Sequence, residues 1–308
     1  MSRQDRKERR RAKKKRDEGF KLKWKSKYAE ALAAYKEALS IYRSLGDEFE
    51  QSCCLEDIGG VLRELRRYEE ALKAYRQGVD VYGGGFQQAD CLEGAGDSLC
   101  DMKRYEEAIA EYRQGALVSD SDYRRGQLMK KTGEALYKMG QHEEALSAFQ
   151  QALDYWRKEK NVEKSRASCL SDVGDALRAL GRYEEAVTAY QQAANTYRDY
   201  SSKYYKKERA YCLSDASATL CALGRYTEAA AAYRLAQHLW PYRSDISKKQ
   251  ASSHYSTGDS LLQESRYEEA LDAFRRALEA YRQVEGTEKD QADCQAGIDR
   301  ALRALGRD

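Results

Sequence analysis

Apolar residues recur along this chain at steps of three and four positions, separated by charged and amide side chains. Residues 167–180 show the pattern most simply, with apolar side chains at Cys169, Leu170, Val173, Ala176, Leu177 and Leu180. This spacing places the apolar side chains on one face of an α-helix. The pattern continues over most of the 308 residues and predicts an almost entirely helical chain.

The helical segments belong to a repeated unit. Residues 182–197 have the sequence RYEEAVTAYQQAANTY, and six close copies occur elsewhere in the chain. The seven copies are anchored on Tyr28, Tyr68, Tyr105, His142, Tyr183, Tyr226 and Tyr267. Successive anchors are 40, 37, 37, 41, 43 and 41 residues apart. Self-similarity with a period of this size is typical of a helical solenoid.

Each unit is predicted to contain a first helix, helix A, and a second helix, helix B, which begins near the anchor. Two small residues flank an aromatic one in helix B, as Ala186, Tyr190 and Ala193 do. A glycine lies nine residues before most anchors, within helix A, at Gly19, Gly59, Gly96, Gly133, Gly174 and Gly258; Ser217 is the exception. A glycine inside a helix costs about 1 kcal/mol relative to alanine. Its repetition therefore indicates that two helices cross closely at this point.

The glycine of helix A, a leucine three residues later and the small–aromatic–small trio of helix B resemble the tetratricopeptide repeat (TPR) over roughly residues 16–305. The long period is similar to that of kinesin light chains, cell-polarity adaptors and bacterial signalling arrays, and the residues do not choose among these. The resemblance implies an all-α, right-handed α-solenoid of seven TPR helix pairs. We expect a longer helix B to account for the period, and a C-terminal capping helix at residues 289–305.

The charge is unevenly distributed along the chain. The net charge is +3, and residues 1–27 carry fourteen Lys and Arg against four Asp and Glu. Because residues 1–16 have no apolar face, we expect a disordered or frayed basic tail before a TPR superhelical domain at 17–308. The tail has several alternative roles: weak contact with nucleic acid or anionic lipid, nuclear import, return to the acidic repeats as an intramolecular occupant, or none beyond solvation.

Residues that could carry catalysis or bind a metal are scarce. Five of the eight cysteines occupy one packing position of the repeat, at Cys54, Cys91, Cys169, Cys212 and Cys294, which predicts a role in the core. No zinc-ligand spacing, phosphate loop or nucleophile motif occurs. We therefore expect no enzyme, metal or cofactor. The sequence has no apolar run that could span a membrane and no secretory signal, so we expect a cytoplasmic protein, with a nuclear location also open.

The resemblance implies that partners bind in a concave groove lined by helix A. The outward positions of helix A carry many acids, at Glu56, Asp57, Asp90, Glu93, Asp97, Glu134, Asp172, Asp175, Asp215 and Asp259, with Asp101 beside them. Bases occur at these positions only as Lys130 and Lys131. This surplus predicts a groove that binds a basic, peptide-like segment of another protein, with an ordinary solvated face as the alternative. We expect a non-catalytic scaffold or adaptor; a ligand- or peptide-responsive sensor and a nucleic-acid tether are the alternatives.

Overall fold

The computed structural model describes residues 2–198, 202–240, 244–263 and 265–307. Over these ranges the chain forms fifteen α-helices and no strand. The helices belong to two compact units, Met1–Lys160 and Asn161–Asp308. The predicted all-α repeat architecture is confirmed.

The first unit consists of four helix pairs. Its helices are α1 (Arg3–Trp24), α2 (Tyr28–Ser44), α3 (Glu48–Glu64), α4 (Tyr68–Val81), α5 (Gly85–Asp101), α6 (Tyr105–Val118), α7 (Asp122–Lys138) and α8 (His142–Tyr155). Each helix packs on the next one along the chain, and α3 also packs on α5. The odd-numbered helices are therefore the A helices of successive repeats, and the even-numbered ones are the B helices.

The second unit consists of three helix pairs and a final helix. Its helices are α9 (Glu163–Ala179), α10 (Tyr183–Thr196), α11 (Lys203–Ala222), α12 (Tyr226–Leu239), α13 (Ser244–Gln263), α14 (Tyr267–Arg282) and α15 (Glu288–Ala304). Helix α11 packs on α13, and α15 packs on α14 and α13. The described residues therefore contain the seven pairs and the single terminal helix that the sequence predicts.

Every helix B begins at its predicted anchor residue. The expected longer helix B is found in the first and last repeats, where α2 contains 17 residues and α14 contains 16, but not in the other five. Five of the B helices, α4, α6, α8, α10 and α12, contain 14 residues each. In these five repeats the A helices are the longer ones, with 17 residues in α3 and 20 in α11. The extra residues of the repeat therefore lie in helix A and in the connections.

The repeated glycines bring helix A against the aromatic ring of helix B. A Cβ atom at Gly59 would lie 2.7 Å from Cζ of Tyr75, and one at Gly174 would lie 2.6 Å from Cε1 of Tyr190. The next helix A also presents a glycine to some of these rings, since a Cβ at Gly297 would lie 2.6 Å from the ring of Phe274. The predicted close crossing is confirmed, and it has a steric cause.

Helix A ends in the same way in all seven repeats. One residue with positive φ follows it, namely Ser26, Arg66, Lys103, Gly140, Gly181, Gly224 or Ser265. After α3, the amide of Arg67 donates to the carbonyl of Leu62 over 2.9 Å, closing a Schellman turn. In five repeats the arginine that follows the turn pairs with the glutamate three residues later, as Arg67 does with Glu70 at 2.6 Å. The RYEE motif is thus a helix-start motif.

Residues 3–24 form one continuous helix, which differs from the disordered or frayed tail that the sequence predicts. Ser2 and Asp5 form a capping box at its start. Ala12 and Gly19 are buried, and Arg16 pairs with Asp57 over 2.6 Å. Small residues and ion pairs hold this helix in place, and neither produces an apolar stripe in the sequence.

Candidate functional site

The predicted acids of the first unit lie on the surface formed by α1, α3, α5 and α7, which we call the A-helix face of unit 1. Glu56 and Asp57 belong to α3, Asp90, Glu93, Asp97 and Asp101 to α5, and Lys130, Lys131 and Glu134 to α7. The fold brings three of these predicted residues together. Nζ of Lys131 lies 3.0 Å from Oε1 of Glu93 and 2.5 Å from Oδ1 of Asp97. Lys130 pairs with Glu134 within α7.

Arginines that the sequence analysis did not select neutralise much of this surface. Arg63 on α3 reaches α5, with Nη1 2.9 Å from Asp97 Oδ2 and Nη2 3.0 Å from Asp101 Oδ2. Arg124 on α7 pairs with Asp90 and, at 2.6 Å, with Glu93. These pairs join successive A helices, as the pair between Arg16 and Asp57 does. The surface therefore has mixed charge, and the surplus of acids is smaller than the sequence count predicts.

A regular separation in the sequence could have identified these pairs. Arg63 and Asp97 are 34 residues apart, and so are Asp97 and Lys131. A separation of about one repeat places two residues at similar heights on neighbouring A helices. A search for opposite charges at this separation would have found the ion pairs that a count on single helices misses.

The aromatic residues of helix B also contact this surface. The hydroxyl of Tyr112 donates to Asp97 Oδ1 over 2.7 Å, and the hydroxyl of Tyr190 donates to Asp175 Oδ1 over 2.6 Å in the second unit. Burial and the neighbouring carboxylate raise the pKa of both phenols. Each tyrosine therefore fills the interior of its repeat and fixes one predicted acid.

A cavity of about 380 Å³ opens on the A-helix face of unit 1. Its lining residues come from α1, α3, α4 and α5 and are Lys23, Glu56, Asp57, Gly60, Arg63, Glu64, Tyr68, Tyr75 and Asp101. Gly60 helps to keep the space open because it has no side chain. The carboxylate of Glu56 accepts a hydrogen bond of 3.1 Å from Gln87 Nε2, and burial raises the pKa of Glu56 and Asp57.

Three charged residues of the cavity wall lie outside ion pairs. Among the described residues, Glu56, Glu64 and Lys23 form no ion pair within 4.0 Å, and Glu64 is exposed. Arg63 and Asp101, in contrast, pair with each other. The cavity can therefore accept a cationic group at Glu56 and Glu64.

In the second unit the predicted acids lie on α9, α11 and α13. Asp175 pairs with Arg178 on the same helix at 3.0 Å, and Arg178 also reaches Asp215 on α11 at 3.9 Å. Asp259 on α13 pairs with Arg300 on α15 at 2.9 Å. Asp172 is partly buried on α9. Basic residues therefore compensate predicted acids in this unit as well.

The cysteines of the chain belong to its core. All eight cysteines are free thiols, and the five at the repeated position are buried, which confirms their predicted role in the core. Burial raises the pKa of Cys54 to about 12 and that of Cys91 to about 11, so both are protonated at neutral pH. The described residues contain no group of three or more His, Cys, Asp and Glu that could hold a metal ion. None of the described helices has the length and apolarity needed to cross a membrane.

Comparison with protein-family models identifies the family of this chain. One family model described as tetratricopeptide repeat matches residues 57–123, 172–244 and 222–285, and a second with the same description matches 22–83 and 125–199. The chain belongs to the tetratricopeptide repeat family. TPR proteins are helical solenoids that act as protein-interaction scaffolds and are typically non-catalytic. No curated protein matches this chain.

Solved structures of other TPR proteins share the fold. The apo form of RapI is 10% identical, with a TM-score of 0.61, over 96% of this chain and 98% of RapI. BtubC (BKLC) from P. vanneervenii is 13% identical, with a TM-score of 0.58, over 68% of this chain and 89% of BtubC. PilF from Pseudomonas aeruginosa is 19% identical, with a TM-score of 0.57, over 79% of this chain and 99% of PilF. At these identities the likeness concerns the fold alone.

Proposed function

We propose that this TPR protein is a non-catalytic scaffold that binds a peptide-like segment of another protein on the A-helix face of unit 1. The observation that carries the proposal is the cavity of about 380 Å³ beside Tyr75, which has charged walls. Its position on the A helices supports contact with a segment laid across several repeats. The predicted acids of the second unit, Asp172, Asp175, Asp215 and Asp259, stay a prediction as an extension of the binding surface.

The charges of the cavity support a segment with a basic residue at its centre. Most carboxylates of the face are engaged by Arg16, Arg63, Arg124 and Lys131, so a partner would have to break those pairs to use them. Glu64 and Glu56 are the carboxylates of the cavity outside such pairs. A lysine or arginine of the segment would pair with them in a partly buried position, where an ion pair is screened less than in open water. Lys23 on the opposite wall disfavours a long run of bases, so we expect one basic residue flanked by neutral ones.

The test is selection of peptides on the full chain, followed by measurement of affinity. A random library of about twelve residues would be selected, and the peptides bound would be measured by fluorescence anisotropy. The variant Glu56→Gln, Glu64→Gln removes two charges from the cavity. The control Glu143→Gln, Glu144→Gln removes two exposed charges from α8.

We expect the selected peptides to share a basic residue. We expect the cavity variant to bind them roughly two- to fivefold more weakly for each charge removed, and the control to bind as the unchanged chain does. Equal affinity of both variants, or a shared acidic residue in the peptides, would show that the cavity does not recognise a base.

A further inference from the structure

The outward face of α1 carries a cationic array that the proposed scaffold role does not use. Its seven members are Arg3, Arg6, Lys7, Arg10, Lys13, Lys14 and Lys21, and all are exposed. At 100° per residue they lie opposite the buried Ala12, and Asp17 is the one acid within the same arc. Among the described residues, none of the seven forms an ion pair within 4.0 Å.

The inward face of α1 differs from the outward one because its bases are engaged. Arg9 pairs with Asp47 at 2.8 Å, Lys15 with Glu37 at 3.1 Å and Arg16 with Asp57 at 2.6 Å. These pairs, with the buried Ala12, attach α1 to the first repeats. The helix therefore holds the outward cations in a fixed row, as a flexible tail would not.

Two aromatic side chains lie at the C-terminal end of this row. Phe20 is 56% exposed and Trp24 is 77% exposed. Their ring centroids are 6.2 Å apart, with an interplanar angle of 65°. Both rings therefore present apolar surface to solvent beside Lys21.

We propose that the outward face of α1 binds single-stranded nucleic acid. Lys21 lies eighteen positions after Arg3, which is about 27 Å along the helix axis. The seven cations are therefore about 4.5 Å apart on average, and the widest gap, about 10 Å, lies between Lys14 and Lys21. The phosphates follow this row, and unpaired bases stack on Phe20 and Trp24. A cationic track combined with exposed aromatic rings is the combination that single strands require.

Two other polyanions fit the same face less well. The bases of a duplex are stacked inside it, so it could use the cations but not the rings. An anionic membrane could also attract the cations, but interfacial helices insert an apolar face, and this face has only Phe20 and Trp24. The aromatic pair therefore favours a single strand.

The test is the salt dependence of binding to a labelled single-stranded oligonucleotide of about twenty uridines, measured by anisotropy with the full chain. The variant Arg10→Gln, Lys14→Gln, Lys21→Gln removes three cations from the array. The control Lys36→Gln, Lys73→Gln, Arg113→Gln removes three exposed cations from α2, α4 and α6. Because a single strand loses about 0.7 in the slope of log K against log salt for each phosphate contact, we expect the array variant to lower the slope by about 2. The control should leave it unchanged.

A separate variant distinguishes stacking from charge. Trp24→Ala should weaken binding about tenfold at one salt concentration without changing the slope. Circular dichroism would verify that each variant keeps its helices. Equal slopes for the array variant and its control would overturn the proposal, as would tighter binding to a duplex or to phosphatidylserine vesicles than to the single strand. Failure of this proposal would leave the scaffold proposal standing. That proposal is tested with substitutions at Glu56 and Glu64, which lie on α3 and not on the outward face of α1.

Discussion

The substitution Gly59→Ala tests whether steric contact explains the repeated glycine of helix A. Alanine is favoured over glycine inside a helix by about 1 kcal/mol. The added Cβ would lie 2.7 Å from Cζ of Tyr75 and 2.8 Å from both Cε atoms. The ring is only 4% exposed and also lies against Gly94 of the next helix A, so moving it away from Gly59 disturbs that second contact. Overpacking a filled core costs about 1–3 kcal/mol, and because the ring contacts both glycines we take the upper end. We expect a net destabilisation of about 2 kcal/mol.

The neighbouring substitution Gly60→Ala is a matched control on the same helix. Its Cβ would lie 3.2 Å from Nζ of Lys23, the mobile end of a long side chain, and 3.7 Å from the hydroxyl of Tyr75. We expect Gly60→Ala to stabilise the chain by up to about 1 kcal/mol. Urea unfolding followed by circular dichroism would compare the two variants. The steric explanation is refuted if Gly59→Ala is as stable as Gly60→Ala.

Three further substitutions or reactions follow from the described geometry. Lys103 has a φ of 60° at the end of α5, so Lys103→Gly should raise the free energy of unfolding by about 1 kcal/mol in urea titration; no change would indicate an unstrained turn. Burial raises the pKa of Glu56 above its ordinary value of 4.5, so the fold takes up this proton before the unfolded chain does as the pH falls. The stability advantage of Glu56→Gln should therefore be larger at pH 7 than at pH 4, and an equal advantage at both would contradict the shift. In the native chain, Cys54 and Cys91 should resist iodoacetamide at pH 8 by mass spectrometry, whereas rapid labelling would show that their helices open.

The architecture was predictable because each repeat contains its own local signals. Tyr183 begins helix B where the sequence predicts it, since acidic residues at a helix start and the apolar period of 3.6 act within a few residues. The glycine at 59 was predictable for a similar reason. Its ring partner, Tyr75, belongs to the same repeat, and repetition shows the pairing several times.

Ion pairs between neighbouring repeats could not be predicted from the sequence of single helices. Arg63 lies on α3, but its carboxylate partners Asp97 and Asp101 are 34 and 38 residues away. A count of acids on one helix therefore finds the carboxylates of the A-helix face without finding what neutralises them. The binding role of these residues stays a prediction.

Two local features were also missed from the sequence: the left-handed residues after helix A and the packing of α1. Arg66 and Lys103 adopt the left-handed backbone that glycine adopts in other repeats, because the surrounding turn imposes it whatever the residue. Helix α1 packs through Ala12 and through ion pairs, so a search for an apolar stripe finds nothing between residues 3 and 16.

One aromatic ring of helix B is enclosed by glycines of two successive A helices, so a single helix pair is not a self-contained unit for exchange between proteins. Tyr75 requires glycine at 59 in its own repeat and also the glycine at 94 in the repeat that follows. Phe274 has the same relation to Gly258 and Gly297. A cut made between helix pairs would separate a ring from the surface shaped to receive it. Repeats exchanged between family members should therefore be joined within helix A, after the second of the two glycines. Each transplanted segment then contains a ring together with both glycines that contact it.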